Sequence, residues 1–310
     1  VALPVRVVIV HRRSEYEELL DRHATYGQAE FFLRSRGRDI EDVRARHEAI
    51  EAAMQLVSTS LPDDVRQARV ERGDLDRYLF APEDIIIAVG QDGLVANVAK
   101  YLSGQPVIGV DPEPGRNAGV LVPHAPEGAA TIVGQVRAAR APIRRRAMVR
   151  AVLDDGQTLV ALNDLYIGDQ GHQSSRYTLT VPDRGAERQS SSGIIVGTGT
   201  GATGWTASIA SDRALQSVLP GSESAELSWF VREAWPSQAT GTELSFGELA
   251  EGQQLELVAE SDLLVAFGDG IEHDRLSISW GQRLRVGVGD HRLNLVLTEP
   301  DGRPPVGGRS

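Results

Sequence analysis

Apolar residues recur along this chain in two rhythms, and the change from one to the other falls near Ala141. Before it, short apolar runs alternate with stretches whose apolar positions lie three or four apart. Residues 5–10 (VRVVIV) form the first run. They predict an opening strand rather than a signal peptide, since no basic leader accompanies them and charge follows at once. Residues 14–23 predict a polar helix. Over 39–58, Ile40, Val43, Ile50, Met54 and Val57 keep helical spacing with His47 on the same stripe. No second His, Asp or Glu stands at ligand spacing there, so His47 reads as a half-buried helix residue. Residues 65–72 alternate as a strand does. Residues 84–90 (DIIIAVG) read as a fully buried parallel strand, 92–103 as a helix and 106–110 (PVIGV) as another buried strand. Strand, turn, helix, strand is a βαβ unit, so residues 5–122 predict a doubly wound α/β layer.

After Ala141 the pattern turns to short strands separated by Gly and Asp. Residues 146–153, the turn Asp154-Asp155-Gly156 and residues 157–163 predict a hairpin. Residues 255–259, 263–267, 276–279 and 284–288 are further strands, and one helix is expected after Gly204. The fold class is therefore an N-terminal α/β domain with a mostly parallel sheet (residues 1–140) and a C-terminal β-rich domain (141–298). The Gly-, Pro- and Arg-rich tail 299–310 is expected to be disordered.

Composition narrows the function. With no cysteine among 310 residues, disulfides, thiolate zinc sites and cysteine nucleophiles are excluded. No apolar run reaches the roughly 20 residues that span a bilayer, so a soluble, cytoplasmic protein without a membrane partner is expected. The net charge of −11 argues against nucleic acid as a partner, though a local site with Mg²⁺ can still receive a small anion. Lys100 is the only lysine, and no Gly-Lys-Ser/Thr step exists, which removes a Walker-type phosphate loop. The histidines show no metal spacing, and no residue is assigned as a metal ligand.

Three segments carry candidate chemistry. Gly90-Gln91-Asp92-Gly93 stands at the carboxyl end of a predicted strand and the start of a helix, the edge where open α/β sheets bind ligands. Glycines there let a backbone approach phosphate. Asp92 then has two readings: proton acceptor or magnesium partner beside phosphates, or plain helix-start acid. Residues 193–205 (GIIVGTGTGATGW) run from a buried strand into alternating Gly and Thr. That loop suits a phosphate-bearing ligand, a Rossmann-type turn through Gly199, Gly201 and Gly204, or a tight β crossover. Asn163-Asp164 can grip neighbouring ribose hydroxyls or form a turn, and Asp269-Gly270 is equally a turn pair. The run Arg144-Arg145-Arg146 reads as a solvated strand edge in preference to a phosphate clamp.

Taken in order, these segments resemble the NAD kinase family. Its Gly-Gly-Asp-Gly turn, Pro-Ile-Ile-Gly-Ile-Asn strand, Asn-Glu/Asp pair, Thr-Pro-Thr-Gly-Ser-Thr-Ala-Tyr segment and late Asp-Gly turn have counterparts here. They are Gly90-Gln91-Asp92-Gly93, residues 106–111, Asn163-Asp164, residues 198–205 and Asp269-Gly270. The resemblance covers about residues 5–298. It implies an active site between an α/β and a β-rich domain, with Asp92 as general base on the 2′-hydroxyl of the adenosine ribose of NAD. Mg-ATP, or polyphosphate, would be the donor and NADP the product. It further implies that Asn163 and Asp164 hold the substrate and that Thr203, Gly204 and Trp205 line the adenine side. Gly90, Gln91, Gly93, Gly199, Thr200 and Gly201 would lie near phosphates, in a homo-oligomer.

Departures leave the acceptor open. Gln91 replaces a glycine, Gly199 a proline, Ala202 a serine and Trp205 a tyrosine. Ser192 stands where the family usually has an acid, and Asp111 where it has Asn. A kinase for another hydroxyl (nucleoside, sugar or lipid alcohol) and a nucleotide-binding regulator without turnover are the alternatives.

Overall fold

Four consecutive buried residues, 7–10, mark β1 (Arg6–His11) as an interior strand. In the computed structural model, which describes residues 5–116 and 119–297, the chain divides into two units. Val1–Arg144 with Asn294–Ser310 form the first, and Arg145–Leu293 the second.

In the first unit, β1 is followed by α1 (Glu15–His23), α2 (Tyr26–Arg34), α3 (Ile40–Ser60) and β2 (Arg66–Glu71). Then come β3 (Ile85–Val89), α4 (Asp92–Ala99), β4 (Pro106–Val110) and α5 (Ala129–Arg137). Ser14 and Glu17 close α1 with a reciprocal capping box, and Asp39 caps α3. The strands lie in the order β2-β1-β3-β4, all parallel. Because side chains alternate across a strand, Val7, Ile9, Ile85, Ile87, Ile108 and Val110 share one face. There they pack on Ala53, Met54 and Val57 of α3 and Ile132 and Val133 of α5. Helix α4, also packed on β1, β3 and β4, buries every residue from Leu94 to Ala99. The helix predicted over 92–103 stops at Ala99. Beyond it Tyr101 N–H bonds Val98 O and Leu102 N–H bonds Ala99 O, a tightened three-residue spacing, and Gly104 turns away at φ 114°.

The second unit holds β5 (Ile143–Leu153), β6 (Thr158–Ala161), β7 (Asp164–Asp169), β8 (Ser175–Val181), β9 (Gly185–Ser191) and β10 (Ile194–Thr198). After α6 (Trp205–Asp212) come β11 (Leu227–Val231), β12 (Phe246–Leu249), β13 (Gln254–Ala259), β14 (Leu263–Gly268), β15 (Ile271–Ser279) and β16 (Arg283–Val296). One antiparallel sheet runs β12-β11-β10-β7-β14-β15. Another places β16, β13, β8 and β9 side by side, with β5 against β16 and β6. Their inner faces share one core: Val149, Leu179, Leu257 and Val286 meet Leu165, Ile167, Val196, Trp229 and Ile278.

Two further expectations change. The second hairpin strand, expected over 157–163, ends at Ala161, so Leu162 and Asn163 link β6 to β7 and Asp164 opens the next strand. Arg144 and Arg145 are exposed as expected, but Arg146 is only 5% exposed, and its Nη1 donates to Ser222 O at 2.7 Å. Alternation along β5 turns this one arginine inward, where it supports a loop. The tail 299–310 lies outside the described residues. Among the described residues no helix is long and apolar enough to cross a membrane.

Candidate functional site

Asp92 occupies the point where β3 gives way to α4. Gln91 takes the N-cap position with extended backbone, and its exposed side chain makes no capping bond. The turn is tied down by Gly90 N–H donating to Val110 O at 3.0 Å. The Asp92 carboxylate accepts Leu121 N–H on Oδ1 (2.8 Å) and Val120 N–H on Oδ2 (3.1 Å). Each oxygen retains acceptor capacity after that bond, so Asp92 both anchors the segment after β4 and keeps lone pairs for a ligand. A Cβ built on Gly90 would come within 3.0 Å of Leu94, whereas one on Gly93 would meet nothing within 4 Å. Gly93 therefore borders open space, where a ligand has room.

The second cluster lies wholly in the second unit. Asp269 and Gly270, both in the left-handed region (φ 54° and 69°), make the β14–β15 hairpin turn. The Asp269 carboxylate also accepts the N–H groups of Leu162 (2.8 Å) and Asn163 (2.7 Å), while its own N–H donates to Asp164 O (3.0 Å). The turn pair thus fixes the two-residue link ahead of Asp164. From the other side, Thr198 N–H donates to Asn163 O at 2.9 Å and Thr198 Oγ1 donates to Leu162 O at 2.5 Å. The same hydroxyl accepts Thr200 N–H (3.1 Å) and Gly201 N–H (3.2 Å). Two N–H groups expected to face phosphate are therefore already bonded within the loop.

The glycines of that loop also have steric work. A Cβ on Gly201 would collide with the Asn163 carbonyl, and one on Gly199 with the Gly221 carbonyl. Thr200 Oγ1 is buried without a hydrogen-bond partner among the described residues. Thr203 and Gly204 are exposed in the turn before α6.

Asp164 is half-buried, and its carboxylate makes no hydrogen bond among the described residues. Burial pushes its carboxyl pKa from 3.8 up to about 6. Tyr166, two residues along on the same face of β7, stacks on Trp205 with ring centroids 6.1 Å apart and planes 13° apart. Phe267 lies 5.0 Å from Tyr166, and the Arg232 guanidinium 5.3 Å from the Trp205 ring. Tyr166, Phe267 and Arg232 were not singled out from sequence, whereas Thr198 opens the segment 198–205 that was. The one signal that could have found Tyr166 is its i, i+2 placement after Asp164.

Among known proteins, three curated relatives match parts of the chain. A stretch of 140 residues is 25% identical to the NAD kinase of Chlorobaculum tepidum, covering 44% of this chain and 47% of that protein. Another, of 130 residues, is 32% identical to the NAD kinase of Saccharophagus degradans, covering 40% and 44%. A third, of 256 residues, is 27% identical to the mitochondrial NAD kinase 2 of Rattus norvegicus, covering 66% and 60%. The chain is a distant homologue of the NAD kinases. It spans about half the length of the curated relatives it matches. No family model matches the sequence. The NAD kinase fold itself is evident in solved structures. Yeast NADH kinase complexed with NADH superposes with a TM-score of 0.58 at 12% identity, over 96% of this chain and 85% of that one. An NAD kinase from Archaeoglobus fulgidus in complex with ATP gives 0.56 at 14% identity, over 95% and 94%.

The glycine loop after β10 is not a Rossmann-type dinucleotide turn. The Gly199, Gly201 and Gly204 turn follows β10, whose neighbours β7 and β11 are both antiparallel, so no βαβ unit contains it. Of the residues expected at the site, Gly90, Gln91, Asp92 and Gly93 share the β3–α4 turn. Asn163, Asp164, Gly199, Thr200 and Gly201 are joined through the Thr198 and Asp269 hydrogen bonds, and Thr203, Gly204 and Trp205 follow directly in the chain. Among the described residues no three His, Cys, Asp or Glu side chains group to hold a metal ion.

Proposed function

We propose that this protein is a phosphotransferase of the NAD kinase type, moving the γ-phosphoryl group of ATP to the 2′-hydroxyl of the adenosine ribose of NAD. The observation that carries the reading is Asp92 at the carboxyl edge of a parallel sheet, in a glycine-flanked turn with open space at Gly93. The motif order shared with the NAD kinases supports it.

In this reaction Asp92 accepts the proton of the attacking ribose hydroxyl, and the Asp92 and Gly93 amides at the start of α4 favour the phosphates. Asn163 and Asp164 hold the acceptor, Thr203, Gly204 and Trp205 line its adenine, and the segment from Gly199 to Gly201 lies near phosphates. Mg²⁺ enters with the nucleotide phosphates and neutralises charge developing on them. Phosphoryl transfer asks mainly for positioning and charge stabilisation, so one carboxylate and two glycine turns suffice on the protein's side.

One observation favours a second reading, in which the acceptor hydroxyl belongs to another compound. Trp205 is already engaged by Tyr166 and Arg232, and Ser192 offers no carboxylate beside them. Incubating the protein with labelled ATP, Mg²⁺ and a panel of NAD, NADH, nucleosides, sugars and diacylglycerol separates the two. Fastest label transfer to NAD supports the first, and faster transfer to another member replaces it.

A further inference from the structure

Beyond Asp92, the carboxyl edge of the first unit's sheet carries charge that the proposed reaction has not used. Strands β1 and β2 run in parallel register up to the pair His11 and Glu71, and β1 pairs β3 up to Val10 and Ala88. One residue further along, Arg12 and Arg72 leave the sheet together, and the continuing register sets Arg12 level with Gly90. By that register Arg72, Arg12 and Gly90 follow one another along the carboxyl edge from β2 through β1 to β3, both arginines on the same side of the turn.

Their neighbours neutralise them only in part. Arg72 is half-buried, and its side chain makes neither a hydrogen bond nor an ion pair among the described residues. Among the described residues Arg12 reaches only Glu18, at 3.8 Å, with both side chains largely exposed. Arg13, next along, is taken up by Asp21. Burial and then the charge of Arg12 hold the Arg72 pKa below its usual value, with Glu18 and Tyr101 opposing. Two guanidinium groups share one distant carboxylate in a chain whose net charge is −11. Half-burying a repelled cation costs free energy unless an anion arrives. The arginine fork suits phosphate oxygens, and the chain lacks a P-loop lysine to serve instead.

We infer that Arg12 and Arg72 form a subsite for the phosphate chain of the donor, a linear polyphosphate carried by a nucleoside or free. The inference deepens the proposed phosphotransfer and rests on that reading for the word donor, but not for the binding itself.

Equilibrium titration of the full chain with inorganic tripolyphosphate, and separately with ATP, both in Mg²⁺-free buffer and without acceptor, tests it. Arg12→Gln and Arg72→Gln are each expected to weaken both ligands roughly tenfold, the scale of one lost charge-assisted hydrogen bond. Arg69→Gln, an exposed cation earlier on β2, should leave both unchanged, and Arg72→Lys should recover part of the loss. Thermal melts check that each variant is folded. Equal weakening of the two ligands assigns the subsite to the phosphate chain, whichever source supplies it. Weakening of ATP alone, an equal loss in Arg69→Gln, or unaltered binding in the two Gln variants overturns the inference. Absence of NADP formation would remove the acceptor assignment while leaving these titrations intact. Normal NADP formation with an unchanged donor KM in Arg72→Gln would remove the subsite alone.

Discussion

Asp164→Asn should stabilise the protein at neutral pH while impairing whatever its site does. Burial raises the Asp164 carboxyl pKa from 3.8 to about 6, with no side-chain hydrogen bond to offset it. A shift of about two units corresponds to about 3 kcal/mol at ~1.4 kcal/mol per unit, and residual solvent contact reduces that to about 1.5–3 kcal/mol. The folded pKa lies above the unfolded one, so the native state binds the proton more tightly. The carboxylate's penalty is therefore full above pH about 6 and fades as pH falls towards 4. The amide carries no charge at any pH. The thermal midpoint of the variant should exceed that of the wild type by several degrees at pH 7.5, at roughly 2–4 °C per kcal/mol for a chain of this size. The two should converge near pH 4. A midpoint for Asp164→Asn equal to or below the wild type at pH 7.5 would refute the reasoning, because it would mean the carboxylate is compensated in the fold. Gained stability with lost turnover marks a group held in place for a ligand.

Other substitutions separate ligand contact from folding. Gly93→Ala meets no atom within 4 Å; its melting temperature should stay within about 1 °C of wild type while NADP formation falls at least about tenfold. Full activity in that variant would mean no ligand comes near the turn. Asp84 is 2% exposed and accepts Arg6 Nε at 2.8 Å, Arg6 Nη2 at 2.6 Å and Ala81 N–H at 2.7 Å. Asp84→Ala should cost about 3 kcal/mol in urea unfolding by stranding Arg6, and a loss below about 1 kcal/mol would argue against the pair. His124 is 3% exposed, donates through Nε2 to Val296 O at 2.8 Å, and has its pKa lowered by burial. The unfolded chain then takes up the proton first, so stability falls as pH drops below 6.5. Urea midpoints at pH 7.5 and 5.5 should differ less in His124→Gln than in the wild type.

The parallel sheet was legible because its strands are buried on both faces, so IIIAV and PVIGV stand out as unbroken runs. Helices α2 and α5 were not legible. Helix α2 buries only Ala29 and Leu33, and α5 has Gly128 at its N-cap and hence no side-chain cap, so neither offers a long stripe or a clear start signal. At the candidate site, the Asp92 turn could be read because it is contiguous in sequence. The second cluster is made by pairing across strands. Tyr166 meets Phe267 through the β7–β14 register, and Asp269 reaches back more than a hundred residues to the Leu162 and Asn163 amides. No local pattern encodes such contacts. Asp269-Gly270 looked like a hairpin turn or a motif member; it is a hairpin turn whose carboxylate also organises the Asn163-Asp164 link.

The most direct test of the central claim is the rate of NADP formation from NAD and Mg-ATP by the wild-type chain and by Asp92→Asn, with both shown to be folded. The account predicts robust wild-type turnover that falls about 10²-fold or more in the variant, the scale of a lost general base. Equal rates in the two proteins, or no NADP from the wild type, would contradict it.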